Sequence, residues 1–105
     1  GELDGKRLLS RTTVDLMMSS HTRDLGPSAV SPGHGFGYGG SVRESLGASP
    51  RPTSEGTWGW SGIYGPYFWV DRKEQLVTML MHQMSPRSSR VADVFQAIAY
   101  ASIQN

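Results

Sequence analysis

The stretch GTWGWSGIYGPYFWVD, Gly56 to Asp71, holds all three tryptophans of the chain, two of its four tyrosines and four glycines. Ordinary core strands use mid-sized branched residues such as Val and Ile; here the largest side chains alternate with residues that have none. The run PYFWV favours a strand, and the charged turn candidate DRKE separates it from QLVTMLMHQM. In that second segment Leu76, Thr78 and Leu80 share one strand face and Val77, Met79 and Met81 the other, as in an interior strand. A helix would also gather Leu76, Met79 and Leu80, so period alone leaves both open; the aromatic run ahead of the turn favours a hairpin.

Upstream of this block, Ser10 stands where it can cap a helix, with Leu9 and Val14 at the positions of a hydrophobic staple and Val14, Met17 and Met18 on one face. The Gly26-Pro27 and Pro32-Gly33 pairs mark turns. In GHGFGYGGSVRE an extended chain would point Gly33, Gly35, Gly37 and Gly39 one way and His34, Phe36 and Tyr38 the other, a strand with one face of bare backbone. SLGASPRPTSEG, with prolines at 50 and 52, reads as an exposed loop. Downstream, Ser88 or Ser89 can cap a closing helix whose apolar stripe is Val91, Val94, Phe95 and Ile98.

The expected fold class is therefore α+β. An antiparallel sheet of about three to four strands carries an N-terminal and a C-terminal helix. The expected helices cover about 11–20 and about 89–103, and the strands about 34–42, 56–62, 65–71 and 75–83, all within a single unit of residues 1–105.

Composition narrows function. The formal net charge is +1, with ten basic residues spread among nine acidic ones, so no phosphate-binding stripe and no nucleic-acid partner is expected. The chain has no cysteine, and its longest apolar run is far too short to span a bilayer, so no membrane partner is expected either. His21, His34 and His82 lie far apart without carboxylates at ligand spacing, which predicts no metal, and no cofactor is expected. Gly35 to Gly40 contains a formal GxGxxG, but not between a strand and a helix N-terminus, where that pattern binds phosphate. The five methionines fall on faces expected to be buried, and Asp15 and Asp93 on solvated helix faces.

The order of GKRLLS and a helix, then GFGYG, then GWSGIYGPYFWVDRKEQLVTMLMHQ and a closing helix resembles the C-terminal part of the serine β-lactamase-like superfamily. It is similar to the branch of class C β-lactamases, penicillin-binding-protein-like carboxylesterases and transesterases, over nearly the whole chain. Trp60-Ser61-Gly62 stands where family members carry K-T-G or variants of it. The resemblance implies a partial β-lactamase/transpeptidase-like fold with this motif on the strand edging an acyl-enzyme site. Gly62 would let a substrate carbonyl lie close to the backbone, and the Ile63 N–H would be an oxyanion donor. Ser61 would hydrogen-bond the substrate, while Trp58, Tyr64 and Tyr67 would wall an apolar pocket. Trp60 replaces the family's cationic Lys, and an indole offers one N–H but no charge to a carboxylate. That favours an ester or neutral acyl substrate over a β-lactam.

The family's nucleophile lies in Ser-x-x-Lys, followed by Tyr-x-Asn or an equivalent. Neither occurs in these 105 residues: the only lysines are Lys6 and Lys73, preceded three residues earlier by Leu3 and Val70, and the only Asn is Asn105. Together with an opening at Gly1, this is what a C-terminal piece of a longer serine hydrolase would show, inactive alone and acting on a small-molecule ester or amide only with its upstream catalytic segment. A non-catalytic binding relative and a self-standing structural module remain as alternatives. In either form of the piece, an open sheet edge would invite the upstream segment or self-association.

Overall fold

A computed structural model describes residues 1–25 and 31–104; the Gly26-Pro27 turn lies outside the described residues. The chain opens with a ribbon that the sequence reading did not foresee, β1 (Glu2–Leu3) paired antiparallel with β2 (Lys6–Arg7). Its signal was the Asp4-Gly5 dipeptide, whose φ values of 51° and 75° are those of a tight hairpin turn. Helix α1 (Arg11–Met17) follows, capped as expected by Ser10, whose hydroxyl accepts the Thr13 amide at 3.1 Å. It stops short of the expected residue 20 because the backbone turns to the sheet: the Met17 carbonyl accepts from Tyr38 N and the Phe36 carbonyl from His21 N.

The main sheet has five strands, one more than the upper expectation, in the order β3 (His34–Phe36), β4 (Ser41–Arg43), β5 (Trp58–Ser61), β6 (Tyr67–Asp71) and β7 (Leu76–Leu80), antiparallel throughout. The extra strand is a correction to the single strand expected at about 34–42. The chain reverses at Gly37–Gly40, where the Gly37 N–H reaches the Gly40 carbonyl at 2.8 Å and Gly39 takes φ 73°. The bare glycine face is real all the same. A Cβ on Gly35 would lie 2.0 Å from Ser20 Oγ, and one on Gly37 would lie 2.4 Å from the Met17 carbonyl, so the post-helical chain packs directly on backbone.

Strand β6 alternates as a half-buried strand should: Tyr67, Trp69 and Asp71 are buried and Phe68 and Val70 less so. Helix α2 (Ser89–Ala101), capped by Ser88, covers the buried side. Tyr67 stacks on Trp69 at 5.1 Å and Trp69 on Phe95 at 6.4 Å, with Ala92 fully buried and Leu80 closing the cluster. The helix is rotated from the expected stripe. Val94 and Ile98 are exposed, while Ala92 and Gln96 are the buried positions and Gln96 donates to Thr78 Oγ1 at 3.0 Å. A small residue at 92 lets the helix approach the indole; Thr78 satisfies the Gln96 N–H, while the buried Gln96 Oε1 has no partner among the described residues.

On the other side Val77, Met79 and Met81 are largely exposed. Strand β7 ends the sheet instead of lying inside it, and one of the two apolar faces read as those of an interior strand looks outward.

Two buried polar residues tie the loops down. Arg43, only 2% exposed, donates to Thr53 Oγ1, to the Leu46 carbonyl at 2.8 Å and to the Ser49 carbonyl. Asp71, equally buried, accepts the amides of Ser54 at 3.0 Å and of Lys73 and Glu74 at 3.1 Å, and the Tyr100 hydroxyl at 2.6 Å. Burial raises the Asp71 carboxyl pKa, but these donors outweigh it and hold the value below normal; burial and the facing carboxylate push the Tyr100 hydroxyl up. A depressed carboxyl pKa stabilises the fold above the unfolded value of about 4 and stops doing so as pH falls through the folded value. Asp71→Asn is expected to cost about 2 kcal/mol in urea unfolding at pH 7, and the difference from wild type should narrow in acid; an unchanged midpoint at pH 7 would contradict this clamp.

Candidate functional site

Strand β5 pairs with β6 through Trp58↔Val70, Gly59↔Trp69, Trp60↔Phe68 and Ser61↔Tyr67, whereas its ladder with β4 ends at Ser41↔Gly59. β5 lies third of five in the sheet. Only its last two residues, Trp60 and Ser61, run beyond the β4 ladder. The extended backbone ends at Ser61, and Gly62 to Gly65 form a turn in which Gly65 N–H donates to the Gly62 carbonyl at 3.1 Å and Gly62 N–H to the Pro66 carbonyl at 2.9 Å.

That turn determines where the Ile63 amide points. A trans peptide sets its C=O and the following N–H on opposite sides. The Gly62 carbonyl is held inward by Gly65 N–H, and Arg87 Nη1 approaches it at 3.4 Å. The Ile63 N–H is therefore turned away from both, on a residue 80% exposed, and no acceptor among the described residues takes it. Gly62 is required here for a local reason that the sequence did not show: a Cβ would meet Pro66 Cγ at 2.9 Å.

A cavity of about 200 Å³ lies against the end of β5 on the α2 side, lined by Ser41, Gly59, Trp60, Ser61, Tyr67 and Trp69, with Arg51, Arg87, Ser31 and Ser89 around them. Arg87 is the residue the sequence reading missed. Its Nη1 donates to Ser61 Oγ at 2.8 Å and its guanidinium lies 5.9 Å from the Tyr67 ring centre. The neighbourhood of the position that lacks the family's Lys is consequently not without positive charge. Arg51 spans the Tyr67 and Trp69 rings at 5.5 and 5.6 Å, and its Nε donates to Asp93 at 2.7 Å. Asp93 is thus an ion-pair partner and not a solvated bystander. Asp15 is likewise paired, to Arg72 at 2.6 Å and Arg11 at 3.1 Å, and the Arg72 hydrogen bond leads the effects that lower its pKa.

A second, apolar cavity of about 230 Å³ lies on the opposite side of the strand end, between Trp60, Gly62, Pro66, Phe68, Met79 and Met81. Trp60 borders both cavities, is 43% exposed and meets Phe36 edge-on at 5.0 Å. Tyr67 also borders both. Trp58 and Tyr64 border neither of these two cavities. Trp58 lies over the side-chain-free Gly40, donates to the Tyr38 carbonyl at 3.2 Å and packs edge-on against Phe68, while Tyr64 projects from the turn.

The three histidines remain apart. His21 meets the Leu16 carbonyl after α1 and stacks on Tyr38; His34 meets the Pro32 carbonyl, with burial lowering its pKa; His82 lies behind Gly65. No group of His, Asp or Glu suited to a metal ion occurs among the described residues.

The family model for beta-lactamase matches residues 2–102. The chain belongs to the beta-lactamase family. Among curated proteins, esterase EstB of Burkholderia gladioli is 37% identical over 57 residues, which are 54% of this chain and 14% of that protein. Among solved structures, EstCE1, a hydrolase with promiscuous acyltransferase activity, superimposes with a TM-score of 0.71 and 28% identity over 91% of this chain and 26% of its own. This beta-lactamase-family chain thus spans about a quarter or less of the relatives it matches.

Glycine at 59 and serine at 61 are expected to respond differently to alanine. A Cβ on Gly59 would lie 2.2 Å from the Phe68 carbonyl, so Gly59→Ala should lose about 2–3 kcal/mol. Ser61→Ala, at the open end of the strand, should stay within about 0.5 kcal/mol of wild type. Urea denaturation checks both, and equal effects would contradict the placement of these residues.

Proposed function

We propose that these residues form the C-terminal wall of a serine ester hydrolase whose nucleophile comes from an upstream segment. The observation that carries the reading is the unpaired Ile63 amide immediately after Trp60-Ser61-Gly62, at a strand end flanked by two cavities. In the reaction, the upstream serine attacks the ester carbonyl; Ile63 N–H donates to the oxygen that becomes negative, and the alcohol leaves as the acyl-enzyme forms. A preorganised donor of this kind contributes roughly 3–4 kcal/mol to lowering the barrier. Ser61 hydrogen-bonds the bound substrate, and Trp60 offers it an indole face. EstB is an esterase and EstCE1 a hydrolase with acyltransferase activity, which supports acyl transfer from an ester as the chemistry.

The second reading is a non-catalytic beta-lactamase-like module that keeps the scaffold to bind a ligand, or a structural unit. Both readings accommodate the lack of Ser-x-x-Lys in these 105 residues. The residues encoded upstream separate the two readings, since the hydrolase requires that motif there. The exposed residues of β7 and its open edge suit contact with such an upstream segment or with a second copy; the outer edge of β3 is already taken, since Phe36 bonds to His21 and Thr22.

The longer protein is expected to hydrolyse short p-nitrophenyl esters much faster than nitrocefin, because Trp60 stands in place of the lysine that would meet the β-lactam carboxylate. Arg87 is the remaining cation beside Ser61, so Arg87→Ala should lower nitrocefin turnover further and spare p-nitrophenyl acetate. Comparable rates on the two substrates in the wild type would refute the ester preference.

A further inference from the structure

We propose that His82 is a positioning residue for the Ile63 amide, acting through Gly65; this rests on the reading of Ile63 as the oxyanion donor. The turn from Gly62 to Gly65 has two exposed central residues, Ile63 and Tyr64, at 80% and 54% exposure, so among the described residues nothing packs on its outer side. Its inner side is held by the segment that follows β7. The β6–β7 register pairs Tyr67 with Leu80, and carrying it two residues further sets His82 opposite Gly65. There the imidazole lies against the glycine: a Cβ on Gly65 would sit 2.5 Å from the His82 Cε1 and 2.7 Å from Nε2. Two residues on, the Met84 N–H donates to the Tyr64 carbonyl at 2.8 Å.

The chain of consequence is short. His82 fixes where Gly65 lies, and Gly65 N–H fixes the Gly62 carbonyl at 3.1 Å. Because the Gly62–Ile63 peptide is planar and trans, the direction of that carbonyl sets the opposite direction of the Ile63 N–H. Gly65 itself is buried at φ 101°, a conformation that only glycine adopts readily, so the ring and the missing side chain fit as a pair. The His82 Nε2 is buried and has no hydrogen-bond partner among the described residues. The ring therefore holds its place beneath the turn by shape and not by a hydrogen bond, and an unpaired buried nitrogen is a feature that asks for such a reason.

The test is steady-state hydrolysis of p-nitrophenyl acetate by the longer, serine-bearing protein, comparing wild type with His82→Ala, His82→Gln and Gly65→Ala and recording urea midpoints alongside. His82→Ala is expected to lower kcat by about tenfold or more with KM within about twofold, the signature of a group that matters in the transition state. His82→Gln, which keeps a flat group over Gly65, should recover most of the rate. Gly65→Ala, which displaces the ring from the other side, should reproduce the loss in kcat and replaces His82→Ala if that variant does not fold. An active wild type with kcat unchanged in His82→Ala would overturn this inference alone, as would a glutamine variant no better than alanine. A wild type inactive on every ester would overturn the esterase reading and this inference with it.

Discussion

The antiparallel pairing of β5 with β6, closed by the turn from Gly62 to Pro66, is the constraint on which the rest depends. It commits Tyr67 and Trp69 to the face covered by α2 and leaves Trp60 and Phe68 on the opposite face. Burying rings of that size against Ala92, Phe95 and Leu80 gives a small sheet most of its core, each ring contributing roughly 1.5–3 kcal/mol. The same pairing requires glycine at 59, where the neighbouring strand leaves no space for a Cβ, and at 62, where Pro66 occupies that space. Gly59, Gly62 and Gly65 are therefore places where backbone meets backbone or ring. The turn they permit ends with a carbonyl satisfied on the inside and an amide left open on the outside.

The parts of this fold that could be read from sequence are those where chemistry is local. The aromatic, β-favouring run at 67–71, the charged turn after it and the serine cap before α2 each name their element from a few adjacent residues. The glycine repeat was harder. Alternating Gly and aromatic residues suit one long strand as well as a hairpin, and what separates them is the left-handed conformation of Gly39 and the packing of Met17–Ser20 on Gly35 and Gly37. The closing helix shows another limit. Its most apolar stripe, Val94 and Ile98, is exposed, because the sheet beneath offers a broad indole and a threonine hydroxyl, which suit alanine and glutamine better.

The site was legible as a motif and not as an environment. Trp60, Ser61, Gly62 and Ile63 were named from their order, yet Arg87 reaches Ser61 across 26 residues of sequence, a distance over which no spacing rule operates. Its arrival changes the electrostatics: a cation from the loop before α2 stands beside Ser61, while position 60 itself carries none. Trp58 shows the converse, since an aromatic next to the motif belongs to the packing of the β3–β4 turn.

The most direct measurement of the central claim is a crystal structure of the longer protein after inactivation by a p-nitrophenyl phosphonate, whose phosphonyl oxygen imitates the developing oxyanion. The account predicts that oxygen at about 2.7–3.1 Å from the Ile63 nitrogen, with Gly62 and Gly65 still closing the turn. A phosphonyl oxygen bound by other donors, with the Ile63 amide turned to solvent, would contradict it.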